Sequence, residues 1–322
     1  MNAITIAAVQ AAPVFLDRRA TLERLAALTR EAAAAGAGLV VFPEAFVPGY
    51  PDWVWRTRPW QDGARELHAR LLEQAVALPG PASEAMAEIA AESGVYLAVG
   101  VDELSATDGT LYNTLLYYGP EGRLLGKHRK LMPTGGERLV WGQGDGSTLT
   151  VLDTPFGRLG GLLCWESYMP LARAAMYARG IDIYLAPTWD NGETWVPTMR
   201  HVAREGRCYV VGVNSCMRGS DVPAGLPERD ALYGGDEDWL SRGNTVIVGP
   251  DGGILAGPLV GEPGIVYAEV DARVARAARL EFDPVGHYAR PDVFELRVDG
   301  RPRSATDRSE PVDAPPADAP PA

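Results

Sequence analysis

Residues 36–44 read GAGLVVFPE, and how this stretch is taken decides the fold. Leu39 to Phe42 is an unbroken apolar run with no polar alternation, the pattern of a strand covered on both faces. Pro43 stops it and leaves Glu44 at its end. Upstream, Asp17 is placed to cap a helix in which Leu22, Leu25, Leu28 and several alanines suit a 3.6-residue period until Gly36 and Gly38 interrupt it. Residues 3–9 form another short apolar run. Strand, helix and buried strand in succession predict an α/β protein.

The succession returns further along. Ser83, placed as an N-cap, with Met86, Ile89 and Ala90 predicts a helix over 83–93, and a strand follows over 95–100. From Thr110 to Leu131, segments of Leu, Tyr and Val break at Gly119-Pro120-Glu121-Gly122, a hairpin pattern. Strands over 149–153 and 158–163, joined at Thr154–Gly157, continue it, so mixed sheets are expected. Helices are expected over 171–179, 196–206 and 271–280, the last capped by Asp271, and strands over 181–185, 209–213, 245–248 and 265–269. A Gly-Pro-rich connection separates the last two strands. Residues 218–240, rich in Gly, Asp and Pro, read as a surface loop or insertion. The chain divides into a domain over 1–298 and a tail over 299–322, whose Pro, Ala and Asp content predicts disorder.

At 322 residues with 46% hydrophobic and 22% charged content, the chain is expected to be soluble and globular. A formal charge of -12 without a long basic block argues against nucleic acid and anionic membrane as partners. The opening MNAITIAAVQ lacks the basic and apolar regions of an export signal, and no run of 18 apolar residues occurs, so a cytoplasmic location is expected. Three cysteines, Cys164, Cys208 and Cys216, suit neither a disulfide framework nor a structural zinc site. No GxGxxG, Walker or HExxH motif is present, and none of the histidines at 68, 128, 201 and 287 falls in a GxSxG or Cys-His pattern.

The residues able to carry acyl chemistry are few. Cys164, in GLLCWESYMP (161–170), lies between an expected strand and an expected helix: it is either a small core hydrophobe or a nucleophile held at a sharp turn. Glu44 is either a solvated strand-end acid or a base of raised proton affinity at the rim of a core strand. Lys130 either belongs to a solvated basic face with Lys127 and Arg129 or points inward as a fixed cation. Glu137 lies seven residues on, past a Pro-Thr-Gly-Gly turn able to fold it toward Lys130; a surface ion pair is its other reading.

Three blocks in order, FPEAFVPGYP (42–51), GKHRKLMPTGGERLVWG (126–142) and GGLLCWESYMPLAR (160–173), resemble the nitrilases of the carbon–nitrogen hydrolase superfamily. The resemblance extends through PTWD (187–190), MRHVAREGRCYVVGVN (199–214) and GHYARPDVF (286–294). Cys164-Trp165-Glu166 and GHYARPDVF are similar to true nitrilases rather than to the amidase branch; Asn244 departs from a small Ser or Cys in many relatives. The resemblance implies a four-layer αββα sandwich with two mixed β-sheets. It implies Glu44 as general base, Lys130 as catalytic lysine, Cys164 as nucleophile and Glu137 as a second, positioning glutamate. The implied reaction converts a nitrile to a carboxylic acid and ammonia with no metal or organic cofactor; aliphatic nitriles, cyanide or an amide are the alternative substrates. A homodimer or larger spiral homo-oligomer is implied, with contacts in 218–240 and after the last helix. Tyr50, Trp53, Trp55, Trp141, Trp165 and Trp189 supply aromatic mass either for an aryl or arylaliphatic pocket or for core and interface packing.

Overall fold

The computed structural model describes residues 2–106 and 109–303. Among these, the strands form two seven-stranded sheets. The first contains β1 (Ile4–Gln10), β2 (Leu39–Val41), β3 (Val76–Ala77), β4 (Tyr96–Leu104), β5 (Leu111–Tyr118) and β6 (Leu124–Arg129), with β14 (Gly264–Val270) on its edge. Its order is β14-β1-β2-β4-β5-β6, with β3 beside β4. The second contains β7 (Val151–Thr154), β8 (Gly157–Gly161), β9 (Ile183–Thr188), β10 (Tyr209–Asn214), β11 (Cys216–Arg218), β12 (Trp239–Val248) and β13 (Ile254–Val260). Its order is β11-β12-β10-β9-β8-β7, with β13 beside β12. Both sheets are mixed: β1-β2-β4 and β8-β9-β10 run parallel, while β4-β5, β5-β6, β10-β12 and β7-β8 are antiparallel.

Side-chain alternation stacks the layers. In β1, Ile6 and Ala8 join a core shared with Ile183, Leu185, Val211 and Val213 of the other sheet, so the sheets pack face to face. Their neighbours Ala7 and Val9 point the opposite way, onto α1 (Arg18–Ala34) and α3 (Pro81–Ser93) through Leu25, Met86 and Ile89. On the far side, Tyr184, Ala186 and Val210 meet α4 (Pro170–Ala178) and α5 (Trp195–Gly206) through Met176, Met199 and Val202. This is the four-layer αββα sandwich. It explains why Leu39–Val41 carries no polar residue, since each side chain fully buried there stabilises by about 1.5–3 kcal/mol.

The helix α1 is capped as expected, with Asp17 accepting the Ala20 amide. Three expectations change. Ser83 does not cap its helix: the chain enters at Gly80 and Pro81, and Ser83 is buried against the Tyr118 hydroxyl at 2.9 Å. The Gly-Pro-rich connection contains β13, where Pro258 is tolerated because among the described residues the strand pairs only with β12. Residues 218–240 are no simple surface loop, because they contain α6 (Arg229–Tyr233) and bury Val222, Leu226, Leu232 and Tyr233 with Trp53, Leu67 and Leu71. The partners Leu67 and Leu71 belong to α2 (Ala64–Gln74), a helix that the sequence reading passed over. Of the tail, residues 299–303 lie against the body, the Arg303 amide donating to Asp145 at 2.7 Å, and 304–322 lie outside the described residues. Among the described residues no helix is long and apolar enough to cross a membrane.

Candidate active site

Glu44 is delivered by a departure from the first sheet. Phe42 donates to Ala98 and Val47 donates to Gly100, so the chain leaves β4 at residue 42 and rejoins it at 47. The loop crosses so close that a Cβ on Gly100 would lie 2.2 Å from the Pro43 carbonyl and 2.8 Å from Glu44 Cα. Only glycine fits there.

Lys130 follows β6 directly, its amide donating to Asn113 of β5. The 3₁₀ turn Gly135–Leu139 brings Glu137 back over it, where the Glu137 carboxylate accepts the Thr134 amide at 2.6 Å. Cys164 closes the route out of β8, adopting φ +53 as the first residue of the 3₁₀ turn Cys164–Tyr168 that leads into α4. A left-handed non-glycine residue at a strand-to-helix turn stores backbone strain of the kind found at functional sites.

These four side chains converge. Lys130 Nζ lies 2.7 Å from both Glu44 Oε1 and Glu137 Oε2, and all three side chains are buried. Glu44 also accepts Asn113 Nδ2 at 2.7 Å and the Trp189 amide at 2.8 Å. The Tyr50 hydroxyl donates to Glu137 Oε1 at 2.7 Å, and Thr188 Oγ1 donates to Cys164 Sγ at 3.0 Å. Burial raises the proton affinity of Glu44, against the opposing pull of Lys130. Burial likewise pushes the Cys164 thiol up, and Glu44 and Glu137 add to this while Lys130 and Thr188 oppose it. The resting sulfur is therefore held as a neutral thiol, with the Glu44 carboxylate near enough to add to that shift. Lys130 stays charged, its burial outweighed by the two carboxylates.

A cavity of about 670 Å³ opens above this cluster, with Cys164 and Glu137 on its wall. Glu44 and Lys130 lie behind the wall, joined to it through Glu137 and the Trp189 amide. Of the aromatic residues expected at a pocket, Tyr50, Trp55, Trp165 and Trp189 line the cavity, whereas Trp53 and Trp141 do not. Trp53 turns into the core beside Phe15, 6.2 Å between ring centroids. Trp141 packs edge-on behind Tyr50 and donates its Nε1–H to Asp102 at 2.6 Å. Tyr50 stacks on Trp189, the rings 4.6 Å apart and 5° from parallel. Asp190 accepts Trp165 Nε1 at 2.8 Å and so fixes that half-exposed indole at the rim.

Asn113, Thr188, Asp190, His128 and Glu166 escaped the sequence reading as site residues. A polar Asn113 inside the apolar run LYNTLLYY was the one signal available for the first. Glu166 was visible only as part of the Cys164-Trp165-Glu166 motif, with no role attached; it accepts the amides of Leu131 and Leu163, both at 2.7 Å, and His128 Nε2 at 2.9 Å. It thereby ties the residue after Lys130 to the residue before Cys164. Asn244, at φ +120, has its side-chain oxygen bonded by Asn214 Nδ2 at 3.0 Å. Among the described residues no group of three or more His, Cys, Asp or Glu is arranged to hold a metal ion.

The His128–Glu166 pair makes a testable stability statement. Burial opposes the charge on each, yet each outweighs it for the other: His128 is raised above its ordinary value and Glu166 lowered below its own. The His128 contribution is full below the unfolded histidine pKa and is lost as pH rises through the raised folded value. That of Glu166 is lost only as pH falls through its depressed one. Denaturant unfolding across pH is expected to show wild-type stability declining on the alkaline side of neutrality. His128→Gln should be less stable near pH 6 by about 3 kcal/mol and flat over that alkaline window. Parallel curves would mean the pair carries no charge.

The pattern of the carbon-nitrogen hydrolase family matches residues 5–280 of this chain. An aliphatic nitrilase of Sinorhizobium fredii (strain HH103) is 47% identical over 308 residues, covering 95% of this chain and 98% of its own. The bifunctional nitrilase/nitrile hydratase NIT4A of Lupinus angustifolius is 43% identical over 317 residues, covering 94% and 88%. Among solved structures, Saccharomyces cerevisiae Nit3, a member of branch 10 of the nitrilase superfamily, superposes with a TM-score of 0.69 at 21% identity, covering 89% of this chain and 96% of that one; this likeness bears on the fold. With the family pattern spanning most of its length and nitrilases among its relatives at this identity, the chain belongs to the carbon–nitrogen hydrolase family and is a nitrilase of the nitrilase superfamily.

Proposed function

We propose that Cys164 is the nucleophile, Glu44 the general base, Lys130 the charge-stabilising cation and Glu137 its positioning partner in hydrolysis of a nitrile to the carboxylic acid and ammonia. The observation that carries this reading is the buried Glu44–Lys130–Glu137 chain beside a neutral thiol on the cavity wall. Glu44 takes the thiol proton as Sγ bonds to the nitrile carbon, and the proton passes to nitrogen, giving a thioimidate. Lys130 stabilises negative charge as it develops in this step. Water, deprotonated by Glu44, adds to the same carbon; the C–N bond then breaks, ammonia leaves and a thioester remains. A second water releases the acid and returns the proton to sulfur. The balance is one nitrile and two waters to one acid and one ammonia. If the C–S bond of the tetrahedral adduct breaks before the C–N bond, an amide is released instead.

The rings of Tyr50, Trp55, Trp165 and Trp189 around the cavity support an aryl or arylaliphatic nitrile as substrate. An aliphatic preference is the second reading, favoured by the 47% identity to a relative named for aliphatic substrates. A panel of phenylacetonitrile, benzonitrile, aliphatic dinitriles, cyanide and the matched amides, scored by ammonia release, separates these readings. Trp165→Ala is expected to raise KM for phenylacetonitrile roughly tenfold through lost apolar contact, leaving a short aliphatic nitrile nearly unchanged. Equal effects on both, or a general preference for amides, would count against the aryl assignment. The exposed residues Tyr288, Val293 and Phe294 after the last helix support self-association of the chain through that region. Light scattering tests this.

A further inference from the structure

Asp102 of β4 and Asn113 of β5 are directly opposed cross-strand partners, and both are buried. Side chains so paired lie on one face of the sheet, their Cβ atoms about 4.5–5.5 Å apart. Asp102 Oδ1 accepts the Trp141 indole N–H at 2.6 Å. Asn113 Nδ2 donates to Glu44 Oε1 at 2.7 Å. That leaves Asp102 Oδ2 and Asn113 Oδ1, and among the described residues neither has a hydrogen-bond partner. Two buried acceptors without donors on facing residues is an arrangement that native interiors avoid, because each forfeits its hydration without return.

Turning the Asn113 amide over does not resolve it. The flip would turn Nδ2 away from Glu44 and set an amide oxygen 2.7 Å from Glu44 Oε1, which already faces Lys130. One additional proton satisfies both orphaned atoms at once. We propose that Asp102 is a neutral carboxylic acid whose Oδ2–H donates to Asn113 Oδ1, and that it thereby positions the general base Glu44 through the Asn113 amide. The chain of donors runs from Trp141 Nε1–H to Asp102, from Asp102 to Asn113, and from Asn113 to Glu44. It fixes which face of the amide meets the base. Burial favours the protonated form, raising Asp102 well above its ordinary value against the Trp141 hydrogen bond, and the Glu44 charge adds to it. Asp102 touches no reacting atom in this scheme, so it is a positioning residue, and the inference rests on the reading of Glu44 as base.

Infrared difference spectroscopy on the full chain, with aspartate labelled at its carboxyl carbon, reads the proton directly and needs no turnover. Wild type at neutral pH is expected to show a labelled carboxylic C=O stretch that shifts in heavy water and vanishes in Asp102→Asn. Absence of that band, or its survival in Asp102→Asn, overturns the proposal. Kinetics test the positioning. Asp102→Leu, which leaves the Asn113 oxygen unpaired, is expected to lower kcat roughly tenfold with KM little changed. Asp102→Asn, which supplies an acceptor for Trp141 and a donor for Asn113, should recover most of that loss. Equal loss in both variants, or none in Asp102→Leu, overturns it; should Asp102→Leu fail to fold, the infrared band and the activity of Asp102→Asn still decide. A failure of the base assignment itself would appear separately, as turnover retained by Glu44→Gln, and would leave the infrared result standing.

Discussion

Cys164→Ala is expected to abolish nitrile turnover, on the order of 10⁶-fold in kcat, while the protein stays folded. If Cys164 is the nucleophile as proposed, the size of the loss follows from removing the atom that bonds to substrate, a change that leaves the remaining groups nothing to activate. The fold should tolerate it because the buried sulfur is held as a neutral thiol, so no partner charge is stranded. Thr188 Oγ1 loses an acceptor but keeps the Asp190 amide, which donates to it at 2.9 Å. Single-turnover ammonia assays and thermal unfolding measure the two halves. Mass spectrometry of the wild type during turnover should find the acyl adduct on the peptide containing residue 164. A folded Cys164→Ala variant with full activity would remove the sulfur from the mechanism.

Lys130→Met is expected to remove activity and also to destabilise the fold, by about 3–5 kcal/mol. Methionine fills nearly the same volume, so packing is preserved. What is lost is the cation between two buried carboxylates, each 2.7 Å from Nζ. Without it Glu44 and Glu137 face each other uncompensated, and one of them takes up a proton in the folded state. A folded-state pKa raised in this way penalises the fold above the unfolded value, so the variant should regain stability as pH falls. Adding Glu137→Gln should restore part of the stability without restoring turnover. If urea unfolding showed Lys130→Met as stable as wild type, the buried ion triad would not be the arrangement in solution.

The difference between these two variants reflects how the site was legible. Three of the four residues are visible as chemical types at element ends: Glu44 after LVVF, Lys130 after a hairpin, Cys164 after an apolar strand. Only the Lys130–Glu137 pair, seven positions apart across a turn, is local enough to be read this way; the other contacts span 86 and 87 positions, as in Lys130–Glu44 and Tyr50–Glu137. Backbone periodicity carries information over a turn or a pleat, and it is silent over such separations. The resemblance of the three motif blocks supplied the grouping that periodicity could not.

The aromatic residues show the same limit more sharply. Trp53 and Trp55 belong to one 3₁₀ turn, yet the first faces a core with Phe15 and the second faces the cavity. Trp141 stands one wall further back than Tyr50. Composition counts them alike, and only the packing of neighbouring elements sorts lining from filler. Asp102 is the extreme case, an acid at the end of the apolar run LAVGV whose significance lies entirely in what it faces.

By itself, the order of apolar runs, caps and glycines determined an α/β chain with mixed sheets, since these patterns are read locally, residue against adjacent residue. The motif blocks determined which chemistry it hosts. The tertiary structure alone decided that Glu44 shares a proton network with Asn113 and Lys130, that 218–240 covers the core beside Trp53, and which indoles reach the cavity. The physical reason is that burial and electrostatic pairing are properties of the space around a side chain, and that space is enclosed only when both sheets and their helices have packed.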